Sequence, residues 1–367
     1  MKSILFVIHQ TGTKGNGGVQ SITNILQQIS SKSKVYVLTQ QETSFNSIWE
    51  KSGIQVIYLP DLKNKVFNFI RKNIFIAYFL IKNKITTVHC NDIQSLFLAF
   101  IGVKFTFRKL IYNKRAVKPS FEKYSFKWKV ALSFVDHVIV LSKDMQNRVV
   151  GHFPFLSKKI SFSYSIVDFE KFKFRNKAEV RKELGLPLDK IIFGIVARFE
   201  DVKQQDLFIS NCLNQLNLAE RKELLFCMIG DIDSVTNNFA QKCISLVEKH
   251  DLEDCVKFYP YQLNIEEWYS AFDFTLVVSI KEGLARCMIE SISCGIPVIS
   301  FDVSSATEIL NHERGVVVPQ NNFDELLKEI LNQKSKISVY DENNIISYSR
   351  EAFSLTSSVE HYLSLYV

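Results

Sequence analysis

Two carboxylates eight residues apart, Glu282 and Glu290, stand in the stretch Phe274–Glu308, FTLVVSIKEGLARCMIESISCGIPVISFDVSSATE. The run FTLVVS predicts a buried strand ending just before Glu282. The segment around Glu290 predicts a helix, and PVISF, opened by Gly295-Ile296-Pro297, a second strand. A strand that hands over to a helix leaves free backbone N–H groups and the positive end of the helix dipole at the strand edge, a setting that favours phosphate. Arg198 and Lys203 also leave a strand, IIFGIVA, in the order A-R-F-E-D-V-K. Arg forks to two phosphate oxygens while Lys acts as a point charge, so the pair suits charge building up on a departing phosphate. Glu290 is set among apolar residues, in IESISCGIPVIS, which argues against a plain surface charge.

Weaker signals lie elsewhere. Gly15-Asn16-Gly17-Gly18 follows the first strand, and a Gly-rich turn lets backbone N–H groups approach phosphate closely, although such turns also serve as connectors. No G-x-G-x-x-G is present and no acidic residue closes KVYVLTQQ, which disfavours a nicotinamide site. His89 and Asn91-Asp92 sit in TTVHCNDIQS, and KLIYNKR carries Asn113, Lys114 and Arg115. The seven Cys form no C-x-x-C pair, so they read as reduced core thiols in a cytoplasmic protein.

The elements that position these residues are alternating strands and helices. ILFVI, KVYVLT, IQVIYL, TTVHC, KLIY and DHVIVLS predict strands in the first half, with helices such as Val19–Ile29 and Ser95–Val103 between them. IIFGIVA, LLFCMIG, CVKFYP, FTLVVS, PVISF and GVVVP predict those of the second. At 367 residues this is an α/β chain of two Rossmann-like sheets, with a polar boundary near Asp168–Leu188. Phe353–Val367 predicts a helix with Phe353, Val359, Tyr362 and Tyr366 on or near one face. The N-terminal apolar run is too short for a signal peptide.

Glu282 and Glu290 resemble the E-x₇-E motif of retaining GT-B glycosyltransferases, in particular glycosyltransferase family four, and Arg198 and Lys203 resemble its G-R-x₄-K element, with Gln204 where Gly is usual. The resemblance implies an α/β GT-B fold of two Rossmann-like domains with parallel sheets facing a central cleft. It implies an acceptor domain over 1–170, a nucleotide-sugar domain over 171–345, and a helix over 346–367 crossing back to the first. Arg198 and Lys203 would hold the donor diphosphate, and with Glu282 they form the expected catalytic set. Glu282 would reach the sugar hydroxyls and Glu290 the ribose. Gly283, Leu284 and Ala285 would meet sugar or phosphate, with Gly17 and Gly18 under the diphosphate. Asp231 is expected in a turn near the nucleotide and Tyr261 near the base. Asp231-Ile232-Asp233 matches the D-x-D metal element of the other glycosyltransferase fold, GT-A, but here it reads as a strand-end turn. His89, Asn91, Asn113 and Arg115 are expected on the acceptor side, Asn113 standing where the family usually has His. No metal and no cofactor are expected.

The net charge of +7 is unevenly spread. Residues 1–175 hold 27 Lys and Arg against 9 Asp and Glu, a net of +18, while the remainder has a net of −11. Lys104–Lys129 carries nine cations and one Glu among seven aromatics, and Phe67–Lys84 adds an aromatic helix bracketed by cations. These segments suit an anionic membrane face, a solvated surface or, less well, nucleic acid. With the resemblance, the expectation is a retaining hexosyl or N-acetylhexosaminyl transfer from a UDP-sugar to a polyprenyl-diphosphate-linked glycan of a bacterial O-antigen or capsule. The enzyme would work in the cytoplasm, peripheral on the inner membrane face. A sugar-nucleotide epimerase of the same fold, or a non-catalytic binding subunit, stays open.

Overall fold

The computed structural model describes residues 2–9, 17–42, 45–115, 126–233 and 237–366. They divide into two units, one running up to Ile166 and resumed from Ser354, the other Val167–Phe353.

The first unit holds strands β1 (Ser3–Val7), β2 (Lys34–Thr39), β3 (Gln55–Tyr58), β4 (Thr87–Cys90), β5 (Lys109–Lys114), β6 (His137–Val140) and β7 (Ile160–Phe162). They pair in parallel in the order β3-β2-β1-β4-β5-β6-β7. Alternate residues of β1 feed two cores. Leu5 and Val7 pack with Ile76, Leu80, Leu96 and Val103, whereas Ile4 and Phe6 pack with Ile22, Trp49, Tyr362 and Tyr366. A parallel sheet buried on both faces explains why its strands read as continuous apolar runs.

The second unit holds β8 (Ile191–Val196), β9 (Leu224–Ile229), β10 (Val256–Tyr259), β11 (Phe274–Val277), β12 (Val298–Phe301) and β13 (Gly315–Val318). Their order is β10-β9-β8-β11-β12-β13, again all parallel. The chain winds outward from β8 in one direction and returns to β11 to wind in the other. The β8/β11 junction is therefore a topological switch point, where the following loops part and leave room for a ligand. At the end of β9, a Cβ on Gly230 would lie 2.2 Å from the Ala197 carbonyl oxygen, so only glycine fits there.

Two expectations need correction. A seventh strand, β7, joins the first sheet. The terminal segment expected over 346–367 also splits, because the helix Glu342–Ala352 belongs to the second unit. There Ser349 Oγ lies 2.6 Å from Ser293 Oγ, in a buried contact with the helix Arg286–Ser293. Only the helix Leu355–Leu365 joins the first unit. Among the described residues no helix is long and apolar enough to cross a membrane.

Candidate functional site

The loops leaving β8 and β11 are stitched together. Ile280 N donates to Val202 O at 2.9 Å, and the Lys203 ammonium forms a salt bridge with Glu282. The two side chains keep only 17% and 14% of their exposure. Burial works against the Lys203 cation, but the Glu282 carboxylate overcomes it and raises the lysine pKa above its ordinary value. Arg198 shares this loop but points outward, 73% exposed, its guanidinium 2.9 Å from Glu200. Its backbone carbonyl accepts from Gln205 Nε2 at 2.9 Å, which pins the loop while the side chain stays at the surface. Gln204 takes φ of 54°, a left-handed turn that explains the usual glycine, and donates from Nε2 to Asn321 Oδ1 at 2.9 Å.

Glu282 is followed by Gly283 and by buried Leu284 and Ala285. Ala285 starts the helix Arg286–Ser293, with no side chain capping its N-terminus and no acidic residue in its first turn. The positive end of that helix dipole, with no acidic side chain upon it, suits an anion. Glu290 lies one turn inside. Its Oε1 accepts from Arg286 Nε at 3.0 Å and Nη2 at 2.7 Å, and its Oε2 accepts from Tyr269 Oη at 3.1 Å. Burial, reinforced by the Glu290 charge, pushes the Tyr269 phenol well above its ordinary pKa, so it stays a donor. The spacing of Arg286 and Glu290, four residues on a helix, was visible in the sequence as a pairing signal. Nothing in the sequence pointed to Tyr269.

Asp231 and Tyr261 stand at the carboxyl ends of β9 and β10, both exposed, Tyr261 at 55%. They share the sheet edge with Lys203 and Glu282 but are not drawn into that cluster. Among the described residues no three His, Cys, Asp or Glu side chains gather to hold a metal ion.

In the first unit Gly17 and Gly18 open the helix Gly17–Ser30, while Gly15 and Asn16 lie outside the described residues. His89, expected on the acceptor side, is fully buried. It stacks on Phe6 at 4.8 Å and on Tyr362 at 5.6 Å, with Nδ1 2.9 Å from Tyr366 Oη. Burial, then the nearby Arg115 charge, lower its pKa to about 3. Asn113 is also buried and donates from Nδ2 to Tyr362 Oη at 2.7 Å. Arg115 donates to Ser165 Oγ at 3.3 Å, and Asn91 is buried beside Asp92, the N-cap of the helix Ile93–Phe105. His89 and Asn113 are thus joined to the returning helix by its two tyrosines instead of facing an open surface.

Residues 176–351 match the family model of glycosyl transferases group 1. The O-antigen biosynthesis glycosyltransferase WclY of Escherichia coli is 26% identical over 301 residues, covering 79% of this chain and 78% of that one. A D-inositol 3-phosphate glycosyltransferase of Catenulispora acidiphila is 22% identical over 200 residues, which is 52% of this chain and 47% of that protein, about half of each. In fold, Anabaena HepE in complex with UDP superposes with a TM-score of 0.85 at 18% identity, over 99% of both chains. The lipopolysaccharide outer core galactosyltransferase WaaB gives 0.76 at 16% identity, over 100% of this chain and 99% of that one. The fold is GT-B, built from two Rossmann-like α/β domains.

Proposed function

We propose that this chain, a glycosyltransferase of the GT-B type, transfers a hexose or N-acetylhexosamine from a UDP-sugar with retention of configuration, and that its acceptor is a lipid-linked oligosaccharide of a bacterial surface polysaccharide. The observation that carries the reading is the Lys203–Glu282 contact at the switch point of the second sheet, beside an uncapped helix N-terminus. A diphosphate arriving there meets Lys203, the positive end of the helix Arg286–Ser293 and, once its side chain swings inward, Arg198. These groups neutralise charge on the leaving diphosphate without calling on a metal. Glu282, released from Lys203, accepts hydrogen bonds from sugar hydroxyls and steadies positive charge at the anomeric carbon. Glu290, oriented by Arg286 and Tyr269, accepts from the ribose hydroxyls. The acceptor oxygen then bonds to the anomeric carbon on the face the diphosphate leaves, the bond from that carbon to the phosphate oxygen breaks, and the acceptor's proton passes to the departing phosphate.

The relatives support the chemistry and the acceptor class. Anabaena HepE is solved with UDP and with UDP-glucose, and WclY is an O-antigen enzyme. A lipid-linked acceptor places the work at the inner face of the cell membrane. Thermal unfolding with UDP, GDP, CMP and NAD in the presence of EDTA tests the donor site. A nucleotide at 100 times its Kd adds about 2.7 kcal/mol of stability. UDP is expected to raise the melting temperature, and Arg198→Ala to abolish the rise. No shift with any nucleoside diphosphate would overturn the reading.

A further inference from the structure

The helix Lys65–Lys82 turns an apolar side to solvent. Val66, Ile70, Ile74, Tyr78 and Ile81 recur every three or four residues and so share one stripe, with Val66, Ile74 and Ile81 exposed at 70%, 65% and 62%. The opposite side of the helix is a true core face. Ile76 and Leu80 are buried, and Gly102 N donates to Asn73 Oδ1 at 2.8 Å, where the neighbouring helix presses close. The stripe is therefore surplus to the core and firmly seated. Phe105 and Phe107, at the end of that neighbouring helix, are 79% and 94% exposed within Lys104-Phe105-Thr106-Phe107-Arg108-Lys109. Apolar surface gathered in this way marks an interaction face.

Charge says what the face meets. Residues 62–91 carry six Lys and Arg and no Asp or Glu. Lys63 lies just before the helix, Lys82 in its last turn and Lys84 just beyond, all exposed. Lys82 also lies over the Tyr78 ring at 5.6 Å. Lys72 is the exception, buried and paired with Asp61 at 2.5 Å, so it serves the fold. A rim of one sign around an apolar stripe matches a surface that is anionic outside and apolar beneath. We propose that this face docks on an anionic lipid surface. The helix lies in the headgroup plane, its stripe enters the acyl boundary, and Lys63, Lys82 and Lys84 meet lipid phosphates. The assignment shifts weight within the basic segments, since Tyr112, Lys114 and Trp128 of Lys104–Lys129 are buried. It deepens the reading of a membrane-borne acceptor, yet it is tested without donor or acceptor, so either can fail alone.

The test is sedimentation of the full chain with vesicles of phosphatidylglycerol and phosphatidylcholine, or of phosphatidylcholine alone, without nucleotide. Binding to the anionic vesicles is expected, weakening with salt. Ile70→Asp with Ile74→Asp should lower the partition about tenfold or more. Lys82→Glu with Lys84→Glu should do the same and blunt the salt dependence. Leu218→Asp, at an exposed site of the second unit, should change nothing. An unchanged melting temperature in each variant confirms folding. Failure to sediment with anionic vesicles, or equal sedimentation of the Ile70/Ile74 variant, overturns the proposal. A solution dimer that this variant dissociates would assign the stripe to a second copy and overturn it too.

Discussion

Lys203 and Glu282, 79 positions apart in the chain, neutralise each other at the junction of β8 and β11. Each is a candidate donor ligand, so a diphosphate must compete with Glu282 for the lysine. Glu282→Gln removes the competitor. The expectation is a fall of about 10²–10³ in the turnover of sugar transfer, with nucleotide affinity held or raised. Single-turnover transfer assays and calorimetric titration with UDP separate the two effects. Weaker nucleotide binding in this variant would contradict the exchange.

Lys203→Ala leaves the Glu282 carboxylate nearly buried and unpaired. A loss of roughly 1–3 kcal/mol of stability is expected, read by urea unfolding. Lys203→Ala with Glu282→Gln should recover part of that loss while leaving nucleotide binding weak.

Arg286 holds Glu290 by two bonds and Tyr269 by a third. Arg286→Ala should free the carboxylate to rotate and weaken UDP binding about tenfold, with Arg286→Lys intermediate because it cannot fork. Removing the ribose hydroxyls tests the role of Glu290. If Glu290 reads the ribose, the 2′-deoxynucleotide should bind the parent protein more weakly and discriminate less against Glu290→Gln.

Legibility followed chain separation. The strands of the second sheet are short, mostly apolar runs, and their alternation with helices is local information. The three-residue β7 is too short to carry such a signal, coming straight after Lys158-Lys159. The residues of the candidate site were readable as motifs, but the Lys203–Glu282 pairing was not, since it depends on two loops meeting at a switch point. His89 shows the same limit. Its aromatic enclosure comes from Phe6, Tyr362 and Tyr366, distant in sequence, so a position that looked like a lining residue became core.

That enclosure makes stability depend on pH. Unfolded, His89 takes up a proton below about pH 6.5, whereas folded it does so only near 3. The unfolded state thus binds more protons in this window. The contribution of His89 is complete above pH 6.5 and is lost as pH falls toward 3, by up to about 1.4 kcal/mol per pH unit. His137 is lowered to about 4, chiefly by burial, and adds to the same trend. Urea unfolding between pH 4 and 7 should therefore show a shallower slope for His89→Phe than for the parent, with His137 leaving some slope behind.

Tyr362→Phe keeps the stacked ring but strips Asn113 of its buried acceptor. A cost of about 1–3 kcal/mol is expected, with UDP binding unchanged because Lys203, Glu282 and Glu290 lie in the other unit. Thermal unfolding with and without UDP distinguishes this from a change at the donor site.

The helix Leu355–Leu365 supplies Val359, Tyr362 and Tyr366 to the core built on β1. In a chain made from its N-terminus, the first sheet therefore waits for Leu355–Leu365 to be translated, while Val167–Phe353 has all its strands beforehand. The half of the molecule made second is positioned to fold first. Until then the first half must hold an open apolar face, with Phe6 and Ile111 uncovered, through the synthesis of nearly two hundred further residues.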